Sequence, residues 1–106
     1  MDIRDMQEMQ KALQARYLDQ WGGLSPEKGQ NSLLWMLGEA GEVIDILKKK
    51  GHAAVMNDPE IRRHFVEEMA DVMMYYQDVL LSFEVTPEEL ETVYREKFHR
   101  NMNRWK

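Results

Sequence analysis

Cysteine is absent from the chain. That removes disulfides, thiolate zinc sites and cysteine nucleophiles together, and it suits the reducing cytoplasm, which is the expected location. A basic excess is absent too: 19 Asp and Glu face 14 Lys and Arg, for a formal charge of −5. Proteins that coat a phosphate backbone need a net basic footprint, so no nucleic-acid partner is expected. No apolar run approaches the roughly 20 residues of a membrane span, and Met1 leads into Asp2, Arg4 and Asp5 without the apolar stretch of a secretory signal. No membrane partner is expected. No segment alternates with period two, and no repeat or low-complexity tract occurs.

What is present is 43% hydrophobic residues in a chain of 106, too many for disorder and the right length for one domain, residues 1–106. Helical spacing dominates. Ile3, Met6, Met9, Leu13 and Tyr17 predict a first amphipathic helix over residues 2–20, stopped by Trp21-Gly22-Gly23-Leu24-Ser25-Pro26. From Glu27 to Lys50 a nearly continuous apolar pattern predicts a second, largely buried helix, closed by Lys48, Lys49, Lys50 and Gly51. Residues 51–57 read as loop. Asp58-Pro59 opens a third helix running to about Phe83. Thr86-Pro87-Glu88-Glu89 opens a fourth, striped with Leu90, Val93, Tyr94, Phe98, Met102 and Trp105. The expected architecture is an all-α four-helix bundle, and a chain this small is expected to complete its core by homo-oligomerisation, as a dimer or tetramer.

The chemistry lies in the carboxylates. The chain has six acidic i,i+3 pairs where random placement gives roughly three, so spacing alone decides little. Helical phase decides more. At 100° per residue Glu39 falls inside the apolar arc of the second helix with Glu42 at its edge, and Glu68 falls inside that of the third with Asp71 at its edge. An ionised carboxylate among apolar side chains must be protonated, paired with a cation or bound to metal. Four of them on antiparallel neighbouring helices demand a cation between them. Oxygen-only ligands select a hard ion, Mg²⁺ or Mn²⁺, and Mg²⁺ characteristically completes its shell with waters and substrate phosphates. Asp2/Asp5 and Glu88/Glu91 read instead as solvated helix surface, and Asp45 as structural.

Glu39-Ala-Gly-Glu42, a spacer of 25 residues, and Glu68-Met-Ala-Asp71 resemble the paired motif of the MazG-like, all-α nucleoside triphosphate pyrophosphohydrolases, and the likeness runs from about Trp21 to the C-terminus. The resemblance implies Mg²⁺-dependent hydrolysis of a nucleoside triphosphate to the monophosphate and pyrophosphate, with these four acids as metal ligands or as the base for water. House-cleaning of aberrant nucleotides is the role it implies. It also assigns nucleotide contacts to Ser25-Pro26 and Asn31, an aromatic position near the base to Tyr75, and phosphate contacts to Lys97, Asn101 and Arg104.

Other residues have competing readings. Lys97, Arg100, Arg104 and Lys106 suit the negative end of any helix dipole as well as a phosphate. Trp21 can stack on a base or close the bundle, Trp35 reads as core, and Met69, Met73 and Met74 read as core or subunit-interface filler. Glu96-Lys97-Phe98-His99 is a single Glu-x-x-His, and a di-iron bundle needs two. The rival to an enzyme is a non-catalytic helical dimerisation or regulatory module. Within the enzyme class, another pyrophosphate-bearing metabolite, such as a phosphoribosyl nucleotide of the histidine pathway, competes as substrate.

Overall fold

The computed structural model describes residues 1–105, so Lys106 of the cationic cluster lies outside the described residues. Six helices are present among them: α1 (Ile3–Arg16), α2 (Leu18–Trp21), α3 (Pro26–Lys50), α4 (His52–Asn57), α5 (Pro59–Ser82) and α6 (Pro87–Arg104). The four long helices match the sequence reading, and two short ones are additional. The first predicted helix breaks at Tyr17, which departs from helical backbone at φ −107°, ψ 26°. Within the stretch expected as loop, His52–Asn57 is a short helix, because Val55 is buried and anchors α4 against its neighbours.

The helix ends follow local chemistry. Asp2 and Asp5 form a reciprocal capping box on α1, a more specific role than solvated surface. Ser25, Asp58 and Thr86 cap α3, α5 and α6 through their side-chain oxygens, and each is followed by proline at the first helical position. Gly51, at φ 85°, ends α3 with its N–H on Leu47 O.

The core is the long antiparallel pair α3 and α5, with α1 packed on α5 and α4 filling the hinge end. Gly29 permits this packing: a Cβ there would stand 2.6 Å from the Phe83 ring and 2.8 Å from Ser82 Cβ. Backbone approach at that point needs a residue without a side chain.

One expectation is corrected. Helix α3 is not largely buried: Val43 and Ile46 are, but Leu33, Leu34, Trp35, Leu37 and Ile44 are exposed. Apolar residues surround its whole circumference, and a single partner helix covers only one side. Helix α6 is barer still, with no buried residue and no helix packed along it. It is tied back near its start by the Arg4–Glu88 ion pair and by Gln7 Nε2 donating to Val85 O at 3.2 Å. The radius of gyration is accordingly 16.4 Å, against about 13 Å for a compact domain of this length. No helix among the described residues is long and apolar enough to cross a membrane.

Candidate metal centre and adjoining cavity

Helices α3 and α5 carry the carboxylates because both are regular over the stretch that matters, so the phases counted along the sequence survive in three dimensions. Glu39, Glu42 and Glu68 each place an oxygen within 4.8 Å of the others. Glu39 and Glu68 are half-buried and Glu42 is exposed at the rim. Asp71 stands outside this trio but close enough for its charge to act on Glu39, and both residues line the adjoining cavity.

Electrostatics describe a site short of positive charge. Burial above all holds the Glu39 carboxyl above the ordinary carboxylate range, followed by a hydrogen bond shared with Glu68 and by the charges of Glu42, Asp71 and Glu68. Among the described residues no lysine or arginine pairs with any of the four acids. His64 Nε2 lies 3.3 Å from Glu68 Oε1, an ion pair only when the imidazole is protonated. Glu68 Oε2 is sealed from water with no hydrogen-bond partner. A buried acceptor without a donor needs an explanation, and a bound cation is one of the few available. The donor set, oxygen only and at mixed depth, fits Mg²⁺ or Mn²⁺.

Beside the trio opens a cavity of about 710 Å³, within the usual range of small-molecule sites. Trp21, Asn31 and Tyr75, all expected to contact substrate, line it. Trp35 lines it too instead of lying in the core: it is 58% exposed, and its ring meets that of Tyr75 edge-on with centroids 6.2 Å apart. Trp21 packs its ring on Tyr17 at 4.8 Å, which braces it at the cavity wall. Ser25 caps α3, and Pro26 opens it.

Lys97, Asn101 and Arg104 are not brought to this cavity. They share a shallow depression on α6 with His99, Arg100 and Asn103.

Sequence reasoning missed Lys28 and Asp78 of the cavity wall. Lys28 lines it, with Nζ held on Gly22 O at 2.7 Å. Its spacing, one turn past the Ser25 cap, was the available signal. Asp78 lies deep in it, 5% exposed, with Oδ1 accepting from Gln10 Nε2 at 3.0 Å and Gln14 Nε2 at 3.1 Å. Asp78 falls three residues after Tyr75 and seven after Asp71, on their face of α5, and that periodicity alone could have found it.

No protein-family model, curated protein or solved structure matches this chain.

Proposed function

We propose that this chain is a Mg²⁺-dependent nucleotide pyrophosphohydrolase, converting a nucleoside triphosphate to the monophosphate and pyrophosphate as a homo-oligomer. The observation that carries the proposal is the unpartnered, water-sealed Glu68 Oε2 in a three-carboxylate cluster that opens onto an aromatic-walled cavity. Acids packed this way without a cation repel one another, and a hard divalent ion is the counter-charge their oxygens suit.

Glu39, Glu42 and Glu68 would hold the ion. Bound there, Mg²⁺ or Mn²⁺ neutralises phosphate charge and lowers the pKa of a coordinated water. The remaining work belongs to side chains. Asp71, on the cavity side of Glu39, takes the proton as water adds across the phosphoanhydride bond and pyrophosphate departs. Lys28 offers the cavity its cation, the charge a polyphosphate needs at an otherwise acidic wall. Trp35 and Tyr75 present ring faces and edges to a base, and Asn31 a polar contact beside them. Catalysis of this kind is mainly positioning and charge stabilisation, which is why a chain with no cysteine and three scattered histidines suffices.

The oligomer is supported by surface area. The chain exposes 8262 Å², whereas a compact monomer of 12.6 kDa exposes about 6,200 Å². The excess, roughly 2,000 Å², is the scale of one subunit's share of an obligate interface. Large apolar residues are exposed on the outer face of α3, on the α6 stripe of Val93, Tyr94, Phe98 and Met102, and at Met69, Met73 and Met74 of α5. The same stripe is what favours the second reading, a non-catalytic dimerisation module. Pyrophosphate release from a nucleotide panel, with a phosphoribosyl nucleotide included, measured with and without Mg²⁺ for wild type and Glu39→Gln, separates the two.

A further inference from the structure

Asp78 is the one carboxylate of the cavity that the hydrolytic reading does not use. It sits at the end of the wall opposite the metal trio: Asp71, Tyr75 and Asp78 fall along a single face of α5, and at 1.5 Å per residue Asp78 lies about 10 Å beyond Asp71. Tyr75 lies between them along the helix and lines the same cavity.

The surroundings of Asp78 are built from neutral donors. Gln10 and Gln14, one turn apart on α1, both direct their amide N–H groups at Oδ1. Two donors on one oxygen fix the plane of the carboxyl group and favour its ionised form. The arrangement is also costly as a mere tether between α1 and α5. Gln14 Oε1 is left buried without a partner, and among the described residues no cation pairs with Asp78. A neutral acceptor would tie the helices equally well. What the carboxylate adds is its second oxygen: Oδ2 has no protein partner among the described residues, and unlike the Gln14 amide oxygen it is not sealed off, in a residue that lines the cavity.

We propose that Asp78 is the specificity residue of the cavity, its Oδ2 accepting a hydrogen bond from the exocyclic amino group of a nucleobase and rejecting bases that carry a carbonyl there. The proposal rests on the nucleotide reading of the cavity and deepens it. An amino group donates to Oδ2. A carbonyl at the same place sets two acceptors against each other, with a buried charge left unmatched. A ring held against Trp35 and Tyr75, with its phosphates toward the carboxylate trio, turns its far edge to Asp78. Gln10 and Gln14 are positioning residues, acting through the carboxyl plane they hold.

The test uses ligands that cannot be hydrolysed to pyrophosphate. Calorimetric titration of the full chain in Mg²⁺ with dCMP and dUMP, and with dAMP and dIMP, compares amino with oxo bases of one shape. The amino member of at least one pair is expected to bind on the order of tenfold more tightly. Asp78→Asn, nearly isosteric, offers an amide N–H in place of Oδ2 and is expected to bring that ratio to unity or invert it. Equal affinities within both pairs, absence of binding by all four monophosphates, or a ratio unchanged in folded Asp78→Asn would overturn the assignment. If the variant does not fold, the wild-type ratios decide alone. A retained amino preference without pyrophosphate release from any triphosphate leaves the subsite standing and removes the hydrolase reading, whereas release without amino preference does the reverse.

Discussion

Glu39 on α3 and Glu68 on α5 bring carboxyl oxygens within 4.8 Å of each other across the helix pair, a separation at which two ionised acids repel. One proton or one cation must lie between them. Divalent cations and protons therefore compete for the same place, and metal binding becomes visible as stability. Mg²⁺ is expected to raise the melting temperature of the wild type, by a gain that reaches about 2.7 kcal/mol at a hundredfold excess over Kd. Glu68→Gln should melt at a temperature nearly independent of Mg²⁺. Differential scanning calorimetry in Mg²⁺ and in chelator makes the comparison.

The metal-free protein is expected to grow more stable as pH falls from 7 toward 5. Burial first, then neighbouring acids, raises Glu39, and burial raises Asp78 against the pull of its two glutamine donors. An acid whose folded pKa lies above its unfolded value binds its proton more tightly in the folded state. The stability it withholds at neutral pH returns as pH falls through the folded value and is complete below the ordinary value, 4.5 for Glu39 and 3.8 for Asp78. Asp2, lowered by the Asp5 backbone N–H, works in the opposite sense, losing its contribution as pH falls below 3.8. Chelator-treated protein whose melting temperature falls steadily from pH 7 to 5 would count against this balance.

Gly29→Ala is expected to destabilise the fold by about 1–3 kcal/mol, because the new methyl meets Phe83 and Ser82 at under 3 Å. Gly41→Ala, with open space around the added carbon, should instead gain slightly from helix propensity. Urea denaturation of the two variants side by side reads the difference.

The uncovered apolar faces predict self-association. Sedimentation velocity at micromolar concentration should give a dimer or larger species. Replacing Phe98 and Met102, both more than half exposed, with glutamate should shift it toward monomer. A wild type that sediments as a 12.6 kDa particle would leave the exposed area without a purpose.

How much of this was readable from the chain varies with the distance over which each feature is determined. The depth order of Glu39, Glu42 and Glu68 follows from helical phase alone, a local property, and it appears in the structure as counted. The caps at Ser25, Asp58 and Thr86 are equally local. The exposure of Trp35 is not legible in the chain, because apolar character on every side of α3 does not say which sides find a partner. Lys97, Asn101 and Arg104 lie away from the cavity for a related reason. The direction of α6 is set by the turn at Glu84, a non-glycine residue at φ 57°, which no periodicity encodes. The place of Asp78 on the face of Asp71 and Tyr75 is a matter of helical phase, whereas its bonds to Gln10 and Gln14, more than sixty residues earlier in the chain, are not.

The central claim is that the carboxylate trio binds a divalent cation for phosphoanhydride hydrolysis. Its most direct test is the rate of pyrophosphate release from nucleoside triphosphates by wild type and Glu39→Gln, in saturating Mg²⁺ and in chelator. Release by wild type that needs Mg²⁺ and falls by about a hundredfold or more in the variant is the predicted result. Release that persists in chelator or survives Glu39→Gln, or its absence with every nucleotide tried, would contradict it.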